Sequence, residues 1–219
     1  MVQSESYCDL GVDLCEFRDD KQIACHQAKY VRYFRNAPGR VVDLGCGRGI
    51  MLQLLNNAGI ECYGVDRFPP ALEICKSKGL QVIAGEVTEH LRDCPTESLG
   101  GIFCSHVVEH FPPPAVITLC RQAFRAVRSG GKFLIITPNS RDLCVLRESF
   151  WLDVTHVRLY PGRLLESLLT QAGFREIEIF EDKDTRYSTN PLRAVAGFVR
   201  KLWLWGFTNR GDLVVVATK

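Results

Sequence analysis

From residue 40 onward, short apolar runs alternate with amphipathic segments. RVVDL at 40–44, ECYGV at 61–65, QVIA at 81–84, GIFCS at 101–105 and KFLIIT at 132–137 read as buried strands. They are short, rich in β-branched and aromatic residues, and bounded by Gly, Asp or Ser. Between them, 49–58, 71–78, 87–93 and 114–127 carry apolar residues at helical spacing, and Ser129-Gly130-Gly131 predicts a turn. A last helix over 161–173 ends at Gly173, a residue that readily takes the left-handed conformation at helix ends. REIEIF at 175–180 and DLVVVAT at 212–218 add two strands. Strand and helix in alternation predict an α/β fold built on a largely parallel sheet. Residues 1–39, with helical spacing around 21–35, are expected as an N-terminal helical cap. Residues 40–219 are expected as the main domain, with a helical insertion at about 187–208.

Composition narrows the class without changing this plan. With 219 residues, 46% hydrophobic and 24% charged, the chain can bury a substantial core, which excludes intrinsic disorder. No run approaches the ~20 apolar residues that span a bilayer. A formal charge of +2 gives no electrostatic footprint for nucleic acid, so none is expected as a partner. None of the ten cysteines stands at C-x-x-C spacing, which argues against a zinc ribbon or a dithiol motif. The opening MVQSESYCDLGVDLCEFRDD shows no basic stretch followed by an apolar one. The expectation is therefore free thiols in a cytoplasmic protein.

The sharpest chemical signal follows the first strand, at Asp43-Leu44-Gly45-Cys46-Gly47-Arg48-Gly49. A strand entering a helix through Gly-x-Gly-x-Gly lets a ligand approach the backbone closely. Asp66 ends the next strand, 21 residues after Gly45, where nucleoside-binding α/β folds place an acid on the ribose hydroxyls. A dinucleotide would require glycines at 45, 47 and 50, but position 50 is Ile50. Asp43 sits badly beside a pyrophosphate and well beside a cation. These features favour S-adenosylmethionine, whose sulfonium and amino groups are positive.

The set Asp43–Gly49, Tyr63-Gly64-Val65-Asp66, Ser105-His106-Val107-Val108-Glu109-His110-Phe111, Arg128-Ser129-Gly130-Gly131-Lys132-Phe133 and Gly173-Phe174 resembles class I S-adenosylmethionine-dependent methyltransferases over roughly residues 40–180. The resemblance implies a Rossmann-like seven-stranded sheet, mostly parallel with the last strand antiparallel, and helices on both faces. Thr137-Pro138-Asn139, then Phe150-Trp151-Leu152-Asp153-Val154-Thr155-His156 and Tyr160-Pro161, resembles bacterial methyltransferases of polysaccharide and O-antigen biosynthesis. Val154 and Ile136 depart from that narrower pattern, which usually has a proline and an acid there.

Carried onto this sequence, the resemblance implies that Gly45, Cys46, Gly47 and Gly49 border the methionine part of the cofactor, with Asp43 beside its amino end. Asp66 would take the ribose hydroxyls, Glu86 and Val87 would lie by the adenine, and Ser105 and His106 would line the methyl-transfer end. An alcohol acceptor must also lose a proton, which a positioned His or carboxylate assists by about 10²–10⁴-fold. His110, His156 and Asp153 are the candidates, with Glu109 beside them. Asn139 and Arg158 are candidates for holding a polar acceptor. No metal is expected, although His106, His110, His156 and Asp153 are of ligating type.

The expected acceptor is an oxygen of a saccharide or glycan intermediate. The alternatives are a quinone or secondary-metabolite hydroxyl, and a non-catalytic partner of a glycosyltransferase. Within the insertion, Leu192, Val195, Ala196, Val199, Leu202 and Trp203 fall on one helical face, with basic residues elsewhere. That pattern suits a lid, or a peripheral membrane contact through residues 191–207.

Overall fold

The computed structural model describes residues 19–182 and 211–219. The insertion expected at 187–208 and the first eighteen residues lie outside the described residues. Among the described residues, seven strands form one sheet: β1 (Val41–Leu44), β2 (Cys62–Asp66), β3 (Val82–Ala84), β4 (Leu99–Ser105), β5 (Val127–Thr137), β6 (Arg175–Asp182) and β7 (Asp212–Thr218). Their order is β3-β2-β1-β4-β5-β7-β6, and β7 alone runs antiparallel to its neighbours. The order reverses between β1 and β4, which opens a crevice at the carboxyl ends of those two strands.

Alternation along each strand decides what lies on each face. Val42 and Leu44 of β1, with Ile102 and Cys104 of β4, turn to one core. That core is covered by α4 (Val87–Asp93), α5 (Pro113–Ala126) and α6 (Gly162–Ala172). Val41 and Phe103 turn to the other, covered by α2 (Ile50–Asn57) and α3 (Pro69–Ser77) through Met51, Leu52, Leu55 and Cys75. The expected plan of helices on both faces is realised. Among the described residues, no helix is long and apolar enough to cross a membrane.

One expectation gains detail and another is corrected. The segment expected to be helical around 21–35 is α1 (Asp20–Gln27) followed by a 3₁₀ stretch, Ala28–Phe34. The tighter 3₁₀ turn carries Tyr30, Val31 and Phe34 into the second core, so this segment is packed against the sheet. The turn expected at Ser129-Gly130-Gly131 instead lies inside β5. There the ladder shifts register opposite β4, and Gly130 takes φ +78°. A Cβ on Gly131 would stand 2.7 Å from the Gly100 carbonyl oxygen, so glycine keeps the two strands together through the irregularity.

Candidate active site

The loop after β1 is held by its own backbone. Gly45 and Cys46 donate their amides to the Val65 carbonyl, and Gly49 donates to that of Cys46. The Gly47 amide donates to Asp66 Oδ2 at 2.8 Å. These N–H groups are committed within the protein and do not form a cradle for phosphate, which needs free amides. Gly45, Gly47 and Gly49 all have positive φ, from +48° to +76°. A Cβ on Gly45 would lie 2.4 Å from the Val107 side chain, whereas one on Gly47 would meet nothing within 4 Å. Gly45 is therefore fixed by packing, and Gly47 borders open space.

Two carboxylates frame that space. Asp43 is buried at the end of β1, and its carboxyl is pushed up to about 8, by burial first and by the charge of Asp66 second. Asp66 takes one backbone amide on each oxygen, Gly47 on Oδ2 and Phe68 on Oδ1. Each oxygen retains a lone pair for a hydroxyl donor. Cys46 is buried with its thiol packed over Gly64, where a Cβ would come within 2.5 Å of Sγ. It fits by size, and burial pushes the thiol away from reactivity.

Glu86 follows β3, whose Ala84 pairs with Asp66, and its carboxylate reaches Arg67 Nη1 at 3.3 Å. Val87 starts α4 and sends its side chain into the first core, leaving only its backbone for a ligand. Ser105 and His106 close β4 at the crevice. His106 is left-handed, φ +55°, and its ring is held between two acids: Nδ1 lies 3.1 Å from Glu109 Oε1 and Nε2 lies 3.3 Å from Asp212 Oδ2. Burial lowers its pKa, but Asp212 and Glu109 outweigh that and raise it to about 10. It is an imidazolium at neutral pH, with neither nitrogen free to take a proton.

His110, Asp153 and His156 meet beside Glu109, brought together by a 3₁₀ turn (Val108–His110) and the loop before α6. The Asp153 carboxylate accepts the Thr155 hydroxyl at 2.6 Å and its amide at 2.8 Å. The same hydroxyl lies 2.8 Å from His110 Nδ1. His156 Nδ1 lies 2.7 Å from the Phe150 carbonyl oxygen, and its Nε2 is 3.7 Å from Asp153 Oδ2. The two imidazoles pack with centroids 4.8 Å apart. Asp153 is thus oriented mainly by Thr155 and touches His156 more distantly than an acid steering a base would.

A family model described as a methyltransferase domain matches residues 18–179. The chain belongs to the methyltransferase-domain family. A solved S-adenosylmethionine-dependent methyltransferase from Archaeoglobus fulgidus superposes with a TM-score of 0.79 at 27% identity, covering 98% of this chain and all of that one. Phosphoethanolamine N-methyltransferase 2 of Haemonchus contortus, solved with S-adenosylmethionine, shares the fold at TM-score 0.65 and 18% identity, covering 98% of this chain and 60% of that one. Among curated proteins, the ubiquinone biosynthesis O-methyltransferase of Methylococcus capsulatus is 30% identical over 118 residues, 51% of this chain and 48% of that protein. That of Hahella chejuensis is 30% identical over 109 residues, 47% and 44% of the two chains. The matches span about half the length of these curated relatives.

The methyltransferase-domain cofactor, S-adenosylmethionine, fits the residues present. A buried acid raised by burial and a like charge suits a cation, and Asp66 keeps acceptor capacity for a ribose. The loop also shows an open face at Gly47, and its Gly45, Cys46, Gly47 and Gly49 amides are already bonded within the protein. Among the described residues, Glu109, His110 and His156 place one ligating atom each within 4.8 Å of one another. His106, expected in that company, has Nδ1 on Glu109 and Nε2 on Asp212, and Glu109 stands in the cluster in its place.

Sequence reading missed Asp212 and undervalued Glu109. Because β7 is antiparallel, its first residue lies at the carboxyl edge of the parallel strands, so an expected antiparallel last strand was the signal for Asp212. Glu109 is fully buried and accepts His106 on one oxygen and the Thr137 hydroxyl, at 3.0 Å, on the other. Asn139 is buried, with Oδ1 accepting the Arg141 amide. Arg158 lies over the Tyr160 ring at 5.7 Å.

Proposed function

We propose that this methyltransferase-domain protein transfers a methyl group from S-adenosylmethionine to a hydroxyl of a small, quinone-related phenol. The observation that carries this reading is the name shared by the curated relatives at 28–30% identity, ubiquinone biosynthesis O-methyltransferase. Trp151, Leu152 and Val154 support it from the structure. They are 65–69% exposed on the loop that carries Asp153 and His156, an apolar border suited to an apolar acceptor. The glycan acceptor expected from the TPN and FWLDVTH segments lacks a counterpart among these relatives.

When bound, S-adenosylmethionine supplies an activated methyl on a sulfonium. Asp43 would hold its amino end and Asp66 its ribose, and Glu86 with the Val87 backbone would flank the adenine. Ser105 and His106 would border the methyl. Alignment of the acceptor oxygen with that methyl is the main demand on the protein. A phenolic hydroxyl ionises near pH 10, as tyrosine does, so modest assistance from the His110–Asp153–His156 group suffices.

Methyl transfer with radiolabelled S-adenosylmethionine would be measured against a soluble catechol and against a hexose-containing oligosaccharide. Label on the catechol is the expected outcome. Label on the saccharide alone would overturn the reading in favour of the glycan acceptor.

A further inference from the structure

Thr155 stands between Asp153 and His110. Its hydroxyl donates to Asp153 Oδ1 at 2.6 Å, and the same oxygen lies 2.8 Å from His110 Nδ1. With the hydroxyl proton committed to the carboxylate, that oxygen accepts from Nδ1–H. The Thr155 carbonyl oxygen, 3.3 Å from the same nitrogen, can only accept and requires the same proton. The His110 ring is therefore fixed with its proton on Nδ1 and its lone pair on Nε2, the reverse of the tautomer that a free histidine prefers in water.

The backbone holds this chain of groups in place. The Val157 and Arg158 amides both donate to the Glu109 carbonyl, at 2.8 and 3.1 Å, which docks the loop on the 3₁₀ turn that carries His110. The Thr155 amide donates to Asp153 Oδ1 and the His156 amide to the Asp153 carbonyl. The two imidazoles are not equivalent. His156 is stacked on Phe150 with centroids 4.6 Å apart, and its Nε2 faces Asp153 Oδ2 at 3.7 Å. Among the described residues, the hydrogen bonds of His110 run through Nδ1, which leaves Nε2 as an open acceptor. Burial above all holds the His110 pKa below its ordinary value, so the ring is neutral at pH 7 and above.

We propose that Thr155 is a positioning residue that couples the Asp153 carboxylate to His110 and keeps the His110 Nε2 lone pair available for the acceptor's hydroxyl proton. The acceptor O–H bond breaks as Nε2 takes the proton, and the oxygen bonds to the methyl as the methyl–sulfur bond breaks. The thioether product leaves, and the imidazolium returns its proton to solvent. While the ring is charged, the chain from Nδ1–H through Thr155 brings the Asp153 charge to bear on it. This step rests on the proposed O-methyl transfer, whereas the tautomer requires neither acceptor nor cofactor.

The full chain labelled with ¹⁵N in histidine reports the tautomer through long-range ¹H–¹⁵N correlations at pH 8, the His110 signals being assigned by their loss in His110→Gln. The expected result is a proton on Nδ1. Thr155→Val, similar in shape but without the hydroxyl, should raise the Nε2–H share at least threefold. It should also lower kcat on a catechol at least tenfold, with KM for S-adenosylmethionine within twofold. Thr155→Ser, which keeps the hydroxyl, should bring both the tautomer and kcat to within threefold of the unsubstituted protein. Thermal melts confirm that each variant is folded. A proton on Nε2 in the unsubstituted protein, a Thr155→Val variant unchanged in tautomer or in kcat, or a Thr155→Ser variant as impaired as Thr155→Val would overturn the proposal. If the tautomer responds as expected but no phenol is methylated, the acceptor assignment fails and the positioning of His110 stands.

Discussion

At the residue scale, Asp43 is the most informative group in the pocket. It is an acid raised to about 8, so the folded protein keeps a proton that the unfolded chain gives up in the ordinary carboxylate range. Its contribution to stability is therefore present at low pH and is lost as pH rises from that range through about 8. A bound cation reverses the preference and expels the proton. Calorimetry of S-adenosylmethionine binding at pH 7, in buffers of different ionisation enthalpy, should register release of close to one proton. Asp43→Asn should abolish that release and weaken binding. Equal proton release from both forms would show that Asp43 does not face the cation. The residue types here were readable from the sequence because the loop, the strand ends and the acids follow one another at fixed spacing. Asp212 was not, because its place depends on a long-range antiparallel pairing.

At the element scale, the strands and most helices were legible from periodicity, since burial on a sheet face imposes it. The extra length of β5 was not. Gly130 and Gly131 read locally as a turn, and only their fit against Gly100 on β4 keeps them in the ladder. The 3₁₀ stretch after α1 escaped notice for a related reason: helical spacing does not separate a 3₁₀ turn from an α-turn over a few residues. The end of α6 was fully legible, and it carries a prediction. Gly173 takes φ +117°, and a Cβ there would lie 2.6–2.9 Å from the Phe124 ring. Gly173→Ala combines backbone strain with overpacking and should cost about 2–3 kcal/mol. A thermal melt should show a fall of roughly 4–10 °C. An unchanged melting temperature would mean that α6 does not end in this conformation.

At the scale of the whole molecule, the site is a consequence of strand order. The glycine loop leaves β1 and His106 leaves β4 on either side of the point where the order reverses, and the antiparallel β7 brings Asp212 to the same edge. The residues proposed for the cofactor could be placed at this edge in advance, since they follow consecutive strand ends. The meeting of Glu109 and His110 with the loop at 153–156 was not legible, because it spans a distance that spacing does not encode. Every role proposed for this crevice depends on the cofactor. Titration of the full chain with S-adenosylmethionine and with its demethylated product, by calorimetry, tests these roles most directly. One equivalent of each is expected to bind, with at least a tenfold loss of affinity in Asp66→Ala, which removes an acceptor from the ribose hydroxyls. Absence of binding by both ligands would contradict them.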